Sequence, residues 1–290
     1  MLIQRINETQ VNEVLLHFKN IKGDFLFNDL NNDSFVLGVS VDKNNEVLGA
    51  ILAEYKELDR MGVVYSVNVR DKFKNKNIEE KLLKFAEKEL KSKGANVLYT
   101  NVFPETSPNV KYTLRKQSWT PPILDKTHFM INVKDMSKEK WIEKNTFPED
   151  ISVKALNQIH EAELESLRNV DWYPKHLSPL EDFQFGEASP QTSFWVYYKE
   201  EIIGWILSTN VNNEHLFITS LFIKEDRRNH YILRPLLGEV IKNQIQLNIP
   251  YACFDVRNED EKVLKFFKSY FRSYIHTTIE IHSSYKILRP

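Results

Sequence analysis

The chain has 290 residues, about twice the usual domain size of roughly 100 to 150, which predicts two domains with a core in each. Its 39 Lys and Arg against 40 Asp and Glu give a formal net charge of −1, spread evenly over both halves, so no basic field is available to grip a nucleic-acid backbone. Hydrophobic residues at 42% argue against wholesale disorder, and the single cysteine, Cys253, rules out an internal disulfide or a thiolate metal cluster. No run approaches the ~18 apolar residues of a membrane span, so the expectation is a cytoplasmic protein with no membrane partner.

In chain order the elements occur twice. Ile3 to Asn7 reads as a strand and faces Val153 to Asn157 at an offset of 150. Helix-like stretches follow both, over residues 7–21 and 157–170. Val47-Leu48-Gly49-Ala50-Ile51 then matches Ile202-Ile203-Gly204-Trp205-Ile206, and the strand ending at Val69 matches the one ending at Ile223. A basic turn comes next in each copy. Ile78, Leu82, Phe85, Ala86 and Leu90 recur at helical spacing and stop before Gly94, a natural residue just past a helix end, so residues 78–93 read as an amphipathic helix. Its counterpart runs from Ile232 to Gln246. Pro235 places that start near Ile232, because a proline is tolerated in a helix's first turn.

Buried strands follow (96–103 and 251–256), then short helices (108–116 and 261–269) and a terminal strand region. The alternation predicts an α/β (α+β) fold of two tandem domains, each a mixed sheet covered by helices, over residues 1–135 and 151–290 with a charged linker at 136–150. His276, Glu280 and His282 share one face of the last strand, but the two histidines stand roughly 20 Å apart at ~3.3 Å per residue and cannot share one ion, so no metal is expected.

In each copy a strand ends in an apolar residue and a basic one, then a tight loop, then a long helix: Val69-Arg70 to Ile78 in the first, Ile223-Lys224 to Ile232 in the second. This order resembles the GNAT superfamily of acyl-CoA N-acyltransferases, over nearly the whole chain and twice. The resemblance implies acetyl-CoA as acyl donor, its pyrophosphate held on the loop's backbone N–H groups and the helix N-terminus, where the macrodipole favours an anion. It also implies an amine acceptor on a small molecule or a protein, and it allows a homodimer.

Both copies depart from the family pattern, which has glycines where this chain has Asn77 and Glu79, or Tyr231 and Leu233. Asn75 and Asn77 can supply the left-handed backbone that glycine would give. Asn77 with Glu80 reads as a capping box, and Glu79 and Glu80 set negative charge where a pyrophosphate would lie. The second copy carries no acid in the corresponding turn. The resemblance therefore assigns donor binding to it, through Arg228, Asn229, His230, Tyr231, Ile232, Leu233, the strand residues Leu221 and Ile223, and Asn258. The first copy is then structural.

Where the family places a proton-donating tyrosine, this chain has Leu114 and Phe266 or Phe267, which cannot donate. Glu214 and His215, at the start of the second copy's strand, are the candidates for a general base acting through water. Asp171 to His176 falls where acceptor loops lie, and either holds a substrate or covers the core. The reading is an N-acetyltransferase; the alternative is an inactive tandem scaffold that binds a small molecule or a protein partner.

Overall fold

The computed structural model describes residues 2–5, 33–44, 46–74, 76–136, 138–143, 146–168, 170–180, 188–227 and 230–288. The helix expected over 7–21 lies outside these residues, as do Asn75, Arg228 and Asn229. The chain divides into two compact units, Met1–Lys126 with Ile279–Pro290, and Thr127–Thr278.

In the first unit β1 (Leu2–Arg5), β2 (Phe35–Val41), β3 (Val47–Lys56), β4 (Met61–Val69) and β5 (Val97–Val102) lie side by side in that order. The end of the chain's last strand, β12 (Ile275–Ile287), pairs antiparallel with β5 in the register Tyr285↔Tyr99. β4 and β5 are parallel, and the strands before them are antiparallel. The crossover from β4 to β5 is helix α1 (Ile78–Ser92). Its Ile78, Leu82, Ala86 and Leu90 are fully buried against Ile51, Val64 and Leu98, as the helical spacing predicts. Phe85 covers Gly38, where a Cβ would come within 2.4 Å of the phenyl ring. Gly94 follows the helix with φ 104, a conformation costly for any residue with a side chain. Helix α2 (Pro108–Lys116) follows β5 and buries Val110 and Leu114.

Asn77 precedes α1 in the left-handed conformation, φ 55 and ψ 29, the shape expected of it. The capping box does not form: Asn77 makes no side-chain cap bond, and the Glu80 carboxylate instead meets Lys84 at 2.9 Å and Lys116 at 2.6 Å. Two ammonium groups outcompete one uncharged backbone N–H for a carboxylate. These bonds, Lys116 first, lower the Glu80 carboxyl from 4.5 to about 2. A depressed carboxyl contributes stability that is present above its unfolded value and lost as pH falls toward 2. Carboxyl-carbon NMR of Glu80 is expected to show this low titration, and Lys116→Ala is expected to move it up toward 4.5.

The second unit repeats the plan with β7 (Ile151–Ala155), β8 (Phe194–Tyr198), β9 (Glu201–Asn210), β10 (His215–Ile223) and β11 (Tyr251–Arg257), and β6 (Ile123–Asn132) lies beside β11. β10 and β11 are the parallel pair. Residues 133–143, read as the end of the first domain and part of the linker, form two short helices, α3 (Val133–Met136) and α4 (Lys140–Glu143). Their Val133, Met136 and Ile142 are buried in this unit's core. Helix α5 (Glu161–Leu167) follows β7, helix α6 (His230–Gln246) links β10 to β11, and helix α7 (Glu261–Tyr270) follows β11.

Helix α6 starts two residues before the expected Ile232, so Pro235 is its sixth residue rather than a first-turn one. A proline there forgoes the bond that residue 235 would otherwise donate to position 231. Burial of Ile232, Leu236, Leu237, Val240 and Ile241 against the sheet offsets that loss. Each unit is a mixed sheet with helices packed on it, as the repeat predicts. Among the described residues no helix is long and apolar enough to cross a membrane.

Candidate active site

The parallel strands at the middle of each unit pair for four rungs and then part. β10 and β11 run from His215↔Tyr251 to Ile218↔Phe254 and pair with each other no further, although β10 continues to Ile223 and β11 to Arg257. A bulge against β9 lies between Ile218 and Ser220, at Thr219. An extra residue bends its strand and raises the local twist, which turns β10 away from β11. The first unit does the same at the same place: β4 and β5 pair from Met61↔Val97 to Val64↔Thr100, and the bulge falls at Tyr65. Each unit therefore has a wedge between its central strands, open toward the start of the following helix.

The two faces of the second wedge differ. On the α6 side lie Ile218, Leu221, Ile223, Phe254 and Val256, in one apolar core with Ile232 and Leu236. Alternation along a strand sends Phe217, Cys253 and Asp255 to the other face. There Trp205, Phe222 and Ser220 sit beneath the segment 172–177. Trp172 and Tyr173 rest on Trp205 and Phe222 with ring centroids 5.0 to 6.3 Å apart, and the Leu177 carbonyl accepts from Ser220 Oγ at 3.0 Å. Of the two readings of Asp171 to His176, this packing is that of a core cover.

Several expected site residues gather at the wedge's open end. Leu221 and Ile223 form its apolar wall, and Ile232 and Leu233 lie in the first turns of α6 with Ile232 buried. Tyr231 is 63% exposed, and Asn258 is exposed just beyond β11. His230 opens the helix by its backbone, while Arg228 and Asn229 fall outside the described residues. The first turn of α6 holds no acid, whereas that of α1 holds Glu79 and Glu80. Arg234 lays its guanidinium over the Trp141 ring at 5.2 Å.

Glu214 and His215 are not brought to this end. His215 is in the first rung, stacked on Tyr251 at 5.4 Å, with its Nδ1 3.0 Å from Asn212 Oδ1. Four residues separate it from Thr219, ~13 Å of strand at ~3.3 Å per residue. Phe267 is buried at the position where the family resemblance places a tyrosine, and so is Leu114.

One pair of polar groups was not legible in the sequence. His128, on β6, places its Nδ1 2.8 Å from Oδ1 of Asp255, the first residue of β11 past the last rung. Both side chains are about one-fifth exposed (20% and 22%), and the imidazole lies nearly parallel to the Phe217 ring, centroids 6.1 Å apart. The neighbouring Cys253 thiol is pushed up to about 11, by burial first and by Asp255 second. No local signal links residues 128 and 255; only the strand order unites them. Among the described residues no cluster of three or more His, Cys, Asp or Glu side chains could hold a metal ion.

Residues 154–271 match the model of the Acetyltransferase (GNAT) family. A search of curated proteins finds no match. Among solved structures, a tandem GNAT protein from the clavulanic acid biosynthesis pathway is similar over 100% of this chain and 99% of its own, with a TM-score of 0.74 at 9% identity. A GCN5-related N-acetyltransferase from Sphaerobacter thermophilus is similar over 100% and 96%, with a TM-score of 0.67 at 13% identity. The glucosamine N-acetyltransferase region of a fungal multi-domain GH3 beta-N-acetylglucosaminidase is similar over 98% of this chain and 38% of that one, with a TM-score of 0.75 at 12% identity. At these identities the likeness is one of fold.

Proposed function

We propose that this chain is a member of the GNAT superfamily with two copies of its fold, and that it transfers an acyl group from acetyl-CoA or a related acyl-CoA to an amine, with the donor bound by the C-terminal copy. The observation that carries this reading is the wedge opened by the Thr219 bulge, which runs toward a helix start without acidic residues. A thioester arm entering there would lie along β10 beside Leu221 and Ile223. The pyrophosphate would meet the N–H groups of the segment from Arg228 to Leu233, at the positive end of the α6 dipole, with Asn258 beside it. Backbone N–H groups near the bulge would polarise the thioester carbonyl.

The N-terminal copy has the same wedge, but its helix start presents Glu79 and Glu80, whose charge opposes a pyrophosphate. That copy serves as structure in this reading. Glu214 and His215 have no part in it, since they lie just before and at the paired end of β10.

Thermal unfolding with and without millimolar acetyl-CoA tests donor binding. A ligand at about 100 times its dissociation constant adds ~2.7 kcal/mol, a shift of several degrees for a unit of this size. The shift is expected in the unmodified protein and is expected to vanish in Arg228→Glu. The buried Phe267, in place of a proton donor, favours the second reading, an inactive scaffold for a small molecule or a protein partner. Absence of any shift in the unmodified protein would leave that second reading standing.

A further inference from the structure

We infer that His128 is the general base that takes the acceptor's proton in the C-terminal copy, and that Asp255 positions it. The inference rests on the acyl-transfer reading above and names the acid-base group which that reading lacks. Asp255 directly follows the last β10–β11 rung, so its carboxylate marks the apex of the wedge. It points away from α6, because the alternate residues Ala252, Phe254 and Val256 are in the α6 core. The His128 imidazole bonds to it on that same face and lies along Phe217, the residue before the last paired Ile218. Donor and base thus approach the apex from opposite faces, as a transfer between two bound molecules requires.

The pairing also sets the chemistry. An ionised Asp255 accepts from Nδ1–H, which leaves Nε2 with its lone pair as the proton acceptor. An ammonium acceptor gives one proton to Nε2, and the freed nitrogen pair attacks the thioester carbon. The C–N bond forms, the C–S bond breaks, and the sulfur leaves as thiolate with the bonding pair. The nitrogen's second proton goes to that thiolate, and the imidazolium returns its own to solvent. The balance is one amide, one CoA thiol and one proton released.

The N-terminal copy provides an internal comparison. Its last rung is Val64↔Thr100, so Asn101 stands where Asp255 stands, and Ser283 pairs opposite it on β12. An amide and a hydroxyl accept no proton at neutral pH. The Asn101 Oδ1 is itself taken by the Tyr99 hydroxyl. The copy with the acid-free helix start is therefore also the copy with the dyad, and the two features are independent in sequence.

The charged and titratable groups on the same face are few. On β11 these are Tyr251, the buried Cys253 thiol, Asp255 and the exposed Arg257, whose Nη1 lies 3.4 Å from Glu259 Oε1; on β6 it is Lys126, two residues before His128. The pair His215 and His276, either side of Tyr251, lies four residues back along β11, ~13 Å away.

The test follows release of CoA thiol from acetyl-CoA against pH, in buffer alone and with spermidine, glucosamine or tyramine as amine probes. It uses the full chain, His128→Gln and Asp255→Asn, and records the acetyl-CoA thermal shift of each. Removal of a general base is expected to cost about 100-fold or more in rate. His128→Gln should keep the thermal shift, lose the rate and flatten the acid limb. Asp255→Asn should lose less and should move the acid limb of thiol release, while nitrogen-15 NMR shows the His128 proton leaving Nδ1; a purely structural pair would show the tautomer change with the pH profile of the rate unmoved. Thiol release in the full chain no faster than in His128→Gln, with the thermal shift intact in both, overturns the dyad alone. No thermal shift in the unmodified protein overturns the dyad together with the donor site.

Discussion

Gly204→Val is expected to unfold the second unit or to cost about 3 kcal/mol, the upper end of overpacking penalties. A Cβ at position 204 would stand 2.3 Å from the Phe222 carbonyl oxygen, 2.9 Å from Ile223 Cα and 3.2 Å from the Phe222 carbonyl carbon. All three are backbone atoms, so no side-chain rotation relieves the clash, and β9 must move off β10 at the Gly204↔Ile223 rung. Ile223 lies in the wall of the wedge, so donor binding should fall with stability. Gly49 holds the matching rung of the first unit, Gly49↔Val69, where a Cβ would stand 2.8 Å from the Asn68 carbonyl oxygen. Gly49→Val should then destabilise the first unit while leaving the acetyl-CoA shift of the second in place. Urea unfolding followed by tryptophan fluorescence measures both, and a midpoint for Gly204→Val equal to that of the unmodified protein would refute the steric argument.

These two glycines were also the clearest part of the sequence. Gly49 and Gly204 fall at corresponding points of two apolar runs, and the elements around them lie at offsets of 150 to 155. Such features are legible because local periodicity and turn chemistry reside in neighbouring residues. The buried face of α1, Gly94 at its end and the left-handed Asn77 are of this kind. What the sequence hid depends on distant partners. The Asn77–Glu80 box looks complete until Lys116, 36 residues from Glu80, takes the carboxylate. The two bulges, at Tyr65 and Thr219, carry no compositional mark, because each is a slip of register against a neighbouring strand, set by the pairing alone. Nor does Pro235 announce that α6 tolerates it one turn further in than its chemistry suggests, since the compensating apolar burial is tertiary. The His128–Asp255 pair spans 127 residues and joins the two sequence halves, so no reading confined to one copy could assemble it.

Trp205→Ala is expected to have the largest effect of any single truncation in the second unit, about 3–5 kcal/mol, the usual range for loss of a buried large aromatic. The side chain is fully buried and touches four rings, with centroids at 5.0 Å for Tyr173, 5.3 Å for Phe222, 5.7 Å for Trp172 and 6.2 Å for Trp195. Its indole N–H reaches both Ser220 Oγ at 2.9 Å and the Leu177 carbonyl at 3.1 Å. Trp205 thereby ties the 172–177 cover to the residue next to the bulge. Trp205→Phe separates the two contributions: it keeps most of the ring packing and removes the donor, for which about 1 kcal/mol is expected. The Leu177 carbonyl retains its bond from Ser220, so the cover should stay closed in the phenylalanine variant. In Trp205→Ala the ring stack under Trp172 and Tyr173 is gone, and trypsin should cut at Arg168 and Lys175 at temperatures where the unmodified protein resists. Urea midpoints that rank unmodified, Trp205→Phe and Trp205→Ala in that order, with cleavage in the last alone, are the expected result. Equal cleavage in all three would mean that the cover is held by its own turn rather than by this indole.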